Sequence, residues 1–309
     1  MSDLKLFRIS DGVAQELPGT AVALERSLQR VIERSMETIF GCRFLASEYS
    51  TGVRHGGRID SLGLDENNSP VIFEYKRATN ENVINQGLFY LDWLVDHRAE
   101  FQLLVMNRLG RDAAEAIDWR NPRLICVASG FTRYDEYAIQ QMRRSIELVR
   151  YWDYGGELLA VEAVSATKVE AGRAEDAPSP ANGTKSASAT PSKTVTELLD
   201  QSPQGLKDLF FELDAYLEAL GDDVTKKTLK LYFAYRRLKN FVCVEVHPQS
   251  QNLLLYLKVD PDTVVLEPGF SRDVRHIGHF GTGDLELRVT TSEELQRALP
   301  LVQQSYDAS

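Results

Sequence analysis

The sequence predicts an α/β protein: a mixed sheet flanked by helices, followed by a small α+β domain. Three observations lead there. Helical and strand-like patterns alternate through the first half, a stretch rich in Ala, Ser and Pro interrupts the chain, and a shorter mixture of both patterns resumes after it. At 309 residues the chain can hold two domains, each burying its own core. The expected boundaries are 1–165 for the first domain, 166–193 for a flexible linker and 194–309 for the second.

In the first domain, Leu24, Leu28, Val31, Ile32 and Ile39 recur with a helical period from Ala21 until Gly41 stops it. Strands follow over Arg43–Tyr49, Arg58–Asp65 and Val71–Lys76, and the turn residues Asp65 to Pro70 join the last two. A long helix is expected from Asn82 to about Arg108, broken near His97. Then come a strand over Arg123–Ala128, a helix near Tyr134–Arg144, and strands over Glu147–Tyr154 and Glu157–Val164. Beyond the linker, Thr194–Leu199, Gln204–Leu220 and Thr225–Leu238 look helical. Asn240–Val246, Leu253–Val259 and Leu285–Val289 look extended, and Ser292–Tyr306 closes as a helix.

Composition narrows the function. A formal net charge of −10 argues against a protein that coats nucleic acid through overall charge, although one groove can still concentrate positive charge. No stretch reaches the roughly 20 apolar residues of a membrane span and the first ten residues lack a secretory core, so a cytoplasmic protein without membrane partners is expected. Cys42, Cys126 and Cys243 are scattered within apolar runs and read as buried free thiols, while His276 and His279 have no cysteine near them to complete a zinc site.

The chemistry is concentrated near residues 54–90. In Val71-Ile72-Phe73-Glu74-Tyr75-Lys76 the alternation of a strand puts Ile72, Glu74 and Lys76 on one face, and Asp60 shares a face with Leu62 and Leu64 on the preceding strand. Two carboxylates converging among apolar neighbours are costly to ionise without a compensating cation. Mg²⁺, or Mn²⁺, fits: it takes oxygen ligands and is commonly held by one or two carboxylates, here Asp60 and Glu74 with the backbone carbonyl of Tyr75. Lys76 can orient or deprotonate an attacking water, or stabilise charge growing on a phosphate; both roles stay open. Gln86 and Tyr90, four apart, share a helix face turned to the site, and Glu25 or Glu33 of the first helix can join it, with Glu25 preferred. Arg54, His55, Gly57, Arg58 and Arg77 form the expected contact region for a nucleic-acid backbone. Arg236, Arg237 and Lys239 are instead assigned to a helix end that favours positive charge.

Gly57-Arg58-Ile59-Asp60, Glu74-Tyr75-Lys76 and Gln86-x-x-x-Tyr90 together resemble the PD-(D/E)XK nuclease superfamily, in its RecB-like branch with the Gln-x-x-x-Tyr motif. Arg58-Ile59-Asp60 stands where that family's nominal Pro-Asp would be. Residues 20 to 160 are similar to the NucS-like endonucleases of bacteria and archaea, and the second domain to an uncharacterised C-terminal module. The resemblance implies a restriction-endonuclease-like sheet and Mg²⁺- or Mn²⁺-dependent hydrolysis of DNA phosphodiesters, by an endonuclease rather than an exonuclease. It also implies Asp60 and Glu74 as metal ligands and Lys76 as the catalytic lysine. DNA repair, restriction or defence would be the setting.

The competing expectation is a catalytically silent nucleic-acid-binding or protein-interaction module on the same fold. For Asp60, Glu74 and Lys76 alone, the bland alternative is a solvated hairpin face with a cross-strand salt bridge, which leaves Leu62, Leu64 and Ile72 on that face unexplained. A homodimer, and a protein or ligand partner for the second domain, are further open possibilities.

Overall fold

The computed structural model describes residues 4–22, 24–77, 83–167 and 193–309, with the side chain of Arg54 also left out. Most of the expected linker, 168–192, and the expected helix start at Asn82 lie outside the described residues. The chain divides into two compact units, Met1–Val169 and Glu170–Ser309.

The first unit opens with a hairpin, β1 (Leu6–Ser10) and β2 (Val13–Leu17). Asp11 and Gly12 between them both take positive φ, the backbone that matches a two-residue turn to the twist of its strands. Next come α1 (Glu25–Arg34), α2 (Met36–Phe40), β3 (Cys42–Ser50), the short α3 (Gly52–His55), β4 (Arg58–Asp65) and β5 (Pro70–Lys76). Then follow α4 (Val83–Asp96), α5 (Arg98–Leu109), α6 (Arg111–Glu115), β6 (Arg123–Ala128), α7 (Arg133–Gln140), β7 (Ser145–Tyr154) and β8 (Leu158–Ala166). The long helix expected to break near His97 is the α4–α5 pair, with His97 between them.

Among the described residues β3 to β8 lie side by side in chain order. The central β5–β6–β7 pairs are parallel and the outer pairs antiparallel, so the expected mixed sheet flanked by helices is present. The inner strands β4 to β7 are largely buried on both faces. Leu62, Leu64, Ile72, Leu124 and Leu148 pack with Leu91, Leu94, Phe101 and Val105 of α4 and α5. On the opposite face Phe73 meets Phe40 of α2 edge-on at 5.1 Å. Gly87 lets α4 sit close on β6: a Cβ there would lie 2.4 Å from a Leu124 methyl.

Where β6 begins, Arg123 is buried between two carboxylates. It makes a two-pronged contact with Glu147 of β7, both arms at 2.9 Å, and reaches Asp65 at the end of β4 at 3.0 Å. None of the three is more than 7% exposed. Such a cluster is tolerable only when each charge keeps its partners.

The second unit contains α8 (Val195–Asp200), α9 (Gln204–Ala219), β9 (Thr225–Thr228), β10 (Phe233–Arg236), β11 (Asn240–His247), β12 (Asn252–Leu257), β13 (Ser271–Asp273), β14 (Leu285–Val289) and α10 (Ser292–Asp307). Its antiparallel strands run in the order β13-β14-β12-β11-β10-β9. Leu209, Phe210 and Leu213 of α9 and Leu295, Ala298 and Val302 of α10 pack on one sheet face with Val242, Val244, Leu255 and Leu287.

The helix expected over Thr225–Leu238 is instead the hairpin β9–β10. Phe233 and Tyr235 point into the helix-covered core while Ala234 faces the other way, the two-residue period of a strand. β-branched and aromatic residues there outweigh the lysines and leucines that suggest a helix. Arg236, Arg237 and Lys239 therefore sit at a strand end rather than a helix end. Arg237 pairs with Asp223 at 2.7 Å and stacks on Tyr306.

Arg123→Ala should destabilise the first unit by about 3–5 kcal/mol, because it leaves two buried carboxylates facing each other. Urea unfolding monitored by the fluorescence of the tryptophans reads this directly; a loss below about 1 kcal/mol would show that the cluster is hydrated or protonated.

Candidate active site

The β4–β5 ladder ends at Ser61 opposite Phe73, whereas β5 stays paired with β6 as far as Lys76 opposite Ala128. Past Ser61 the two antiparallel strands part into a fork. Backbone groups there have lost their ladder partners, and side chains take their place. The Asp60 N–H donates to Glu74 Oε1 at 3.3 Å, and the Tyr75 N–H donates to Asp60 Oδ2 at 3.0 Å. Each carboxylate thus binds the backbone at or next to the other one. The expected convergence of Asp60 and Glu74 is in place.

Glu74 is fully buried and its Oε2 has no hydrogen-bond partner among the described residues. Burial, and then the adjacent Asp60 carboxylate, push the Glu74 carboxyl up to about 9. Burial also raises Asp60, against the opposing pull of the Tyr75 N–H and Lys76. A solvated hairpin face would show neither feature.

Lys76, on the same strand, is 16% exposed and places Nζ 4.0 Å from Oε2 of Glu25. The other oxygen of Glu25 accepts the Arg77 N–H at 2.9 Å. Glu33 meets the fork at its closed end and not at the carboxylates: its Oε1 accepts from Ser61 Oγ at 2.6 Å and from Gln29 Nε2 at 3.0 Å. Gln29, 6% exposed, also donates to the Asp60 carbonyl at 2.8 Å. Glu25, Gln29 and Glu33 are four residues apart, so α1 lays one polar stripe along the fork, holding Arg77, Asp60 and Ser61 in turn. Gln29 was not singled out from the sequence. The four-residue spacing with Glu25 and Glu33 is the signal that identifies it.

From the opposite face α4 supplies Tyr90, whose hydroxyl accepts the Arg58 N–H at 3.1 Å, two residues before Asp60. A Cβ on Gly57 would lie 2.6 Å from the Tyr90 ring, so the bare backbone of Gly57 is accounted for by this packing. Gln86, one turn earlier on α4, is half-buried and forms no hydrogen bond among the described residues.

Around the fork, Arg58 and Arg77 are exposed, and Arg58 forms an ion pair with Glu48 at 3.3 Å. His55 is half-buried in a row of rings, 5.4 Å from Phe89 and 5.8 Å from His97. The side chain of Arg54 lies outside the described residues.

The three cysteines are buried and form no disulfide among the described residues, in line with the expected thiols. Among the described residues no three or more His, Cys, Asp or Glu side chains gather as metal ligands, so an ion at the fork would rest on two carboxylates and backbone oxygen. No helix among the described residues is long and apolar enough to cross a membrane.

Residues 195–309 match the family model described as a domain of unknown function, DUF5655. A Haemophilus influenzae protein described as uncharacterised is 23% identical over 312 residues, covering 98% of this chain and 99% of the relative. That relative therefore aligns with both units. Two solved structures align with part of the chain. A repair endonuclease from Pyrococcus abyssi is 21% identical over 41% of this chain and 46% of its own, with a TM-score of 0.28. An EndoMS complex with double-stranded DNA is 20% identical over 42% of this chain and 46% of its own, with a TM-score of 0.25. The chain thus spans less than half the length of either, and neither score is high enough to carry the chemistry of the fork.

A carboxyl raised in the folded state keeps a proton that the unfolded chain releases, so its stabilising contribution is full at low pH and lost as pH rises. For Glu74 that window runs from its ordinary value of 4.5 to about 9. In metal-free buffer the unfolding free energy should decline through this window by up to about 1.4 kcal/mol per pH unit, and Glu74→Gln should flatten the decline. Urea titrations at stepped pH measure both. An unchanged slope in Glu74→Gln would assign the pH dependence to other groups.

Proposed function

We propose that the first unit is a divalent-metal-dependent deoxyribonuclease whose active site is the β4–β5 fork. The observation that carries this reading is the partnerless, buried Oε2 of Glu74 beside the Asp60 carboxylate. Two such groups cannot both ionise there without a cation. The donor set fits Mg²⁺ or Mn²⁺: Asp60, Glu74 and the Tyr75 carbonyl would hold it, leaving positions for water and substrate oxygen. When bound, it supplies Lewis-acid stabilisation of charge at the scissile phosphate.

The chain's own residues do the rest. Lys76 projects an ammonium beside the carboxylates and stabilises negative charge developing on the phosphate. Glu25, fixed by the Arg77 N–H, positions that ammonium. Tyr90 and Gln29 act on Asp60 through the backbone, one through Arg58 N–H and the other through the Asp60 carbonyl. Arg58 and Arg77, with His55, contact the DNA backbone on either side. The exposed Arg58–Glu48 pair is worth at most about 1 kcal/mol, so Arg58 can exchange that partner for a phosphate.

Incubation of circular and linear DNA, single- and double-stranded, with the full chain and Mg²⁺ or Mn²⁺ tests the proposal. Asp60→Ala, Glu74→Gln and Lys76→Ala should each lower the cleavage rate by at least about 100-fold. Calorimetry should show Mn²⁺ binding lost in Asp60→Ala and retained in Lys76→Ala. Equal cleavage by wild type and all three variants would overturn the assignment. Metal binding without cleavage of any DNA would favour the silent module.

A further inference from the structure

The second unit covers one face of its sheet with helices; on the other face the loop after β13 covers Cys243 and Tyr256, with His279 stacked on Tyr256 at 4.4 Å, and the strand register arranges the side chains of that face in rows. Cys243, Tyr256, Glu286 and Arg272 form one row across β11, β12, β14 and β13. Glu245, Leu254 and Arg288 form the next, and His247 and Asn252 a third. At the β12–β14–β13 end of this face lies a cleft of about 360 Å³ lined by His247, Asn252, Leu254, Arg272, Glu286 and Arg288 among others. That volume is within the usual range for a small-ligand site, roughly 300–1,000 Å³.

The charges lining the cleft are not balanced. Both carboxylates of the face are 7% exposed and already engaged. Glu286 is bound by Arg272 Nη2 at 2.7 Å, and Glu245 by His247 Nε2 at 2.8 Å and by the Phe280 N–H at 3.3 Å. Arg288 is exposed and has no acidic partner among the described residues. Arg272 uses one arm of its guanidinium on Glu286, is about half exposed and keeps donors for another acceptor. The Glu245 carboxylate can only accept, so it holds the His247 imidazole by its Nε2 hydrogen. In a chain of net charge −10, this is a local cationic recess floored by Leu254.

We propose that this cleft binds a small phosphorylated ligand, with Arg288 and Arg272 as the guanidinium pair that receives the phosphate and His247 and Asn252 as flanking polar contacts. Two guanidinium forks suit an anion with several equivalent oxygens, and the apolar Leu254 offers a surface for the rest of the molecule. The proposal is independent of the nuclease reading: it uses no residue of the fork and requires no cleavage.

The test is calorimetry and thermal denaturation of the full chain with inorganic phosphate, with a nucleoside 5′-monophosphate and with a single-stranded oligonucleotide, all at constant ionic strength. The expected result is millimolar or tighter binding of phosphate and tighter binding of the mononucleotide. Arg288→Ala should weaken both at least about tenfold, Arg288→Lys should recover part of the loss, and Arg58→Ala at the fork should change neither. Arg288 is exposed, so its variants should keep the wild-type circular dichroism. Absence of binding by phosphate and mononucleotide alike would overturn the proposal. So would equal affinity in Arg288→Ala, or binding through Arg288 by the oligonucleotide alone, which would make the cleft part of a nucleic-acid surface.

Discussion

The first unit depends on what happens where β4 and β5 separate. Antiparallel strands that part expose N–H and C=O groups that a buried sheet cannot leave unpaired. Here the two carboxylates absorb that demand reciprocally, Glu74 receiving the Asp60 N–H and Asp60 receiving the Tyr75 N–H. The same hydrogen bonds hold the acidic groups together at a depth where their charges repel. Fork geometry and carboxylate chemistry are therefore one constraint. The α1 stripe and Tyr90 brace it from opposite faces of the sheet.

β5 runs between two buried acidic groupings that differ in one respect. Near its start, where Val71 pairs with Arg123, Asp65 and Glu147 share a guanidinium and each carboxylate is bound by it. Near its end, Asp60 and Glu74 share only a lysine that also faces Glu25, and one oxygen stays partnerless. A filled cluster costs stability when disturbed and otherwise does nothing. An unfilled one creates an affinity for protons or cations, which is why the second grouping, and not the first, reads as a site.

Much of this was legible in the sequence because strand periodicity is short and local. Alternation in Val71–Lys76 places Glu74 and Lys76 on the Ile72 face, and the mixed sheet follows from strands separated by helical spacing. Gln29 and the Arg123 cluster were not legible because their partners are remote in sequence: Gln29 meets Asp60 across 31 residues and Arg123 meets Asp65 across 58. A glutamine or arginine carries no local mark of which distant backbone or carboxylate it will meet. The β9–β10 hairpin failed for a different reason. Its lysines and leucines also suit a helix, and only the tertiary placement of Phe233 and Tyr235 against α9 decides between them. The first hairpin does carry a local mark: Asp11-Gly12 is the dipeptide such a turn selects.

The second unit repeats the contrast in the opposite sign. Its buried acids, Glu245 and Glu286, are each hydrogen-bonded to a basic side chain, whereas the guanidinium of Arg288 on the same face has no acidic partner among the described residues. Water can solvate an exposed arginine at little cost, so that lack alone would mean nothing. It gains meaning from position: Arg288 stands opposite Leu254 in the ladder, beside Arg272, at the edge of a recess rather than on a convex surface. Glu286 already compensates Arg272, so Arg288 is the guanidinium of that concave wall left to meet an incoming anion. In both units, then, the pointer to a ligand is a charge that the fold positions and does not itself neutralise.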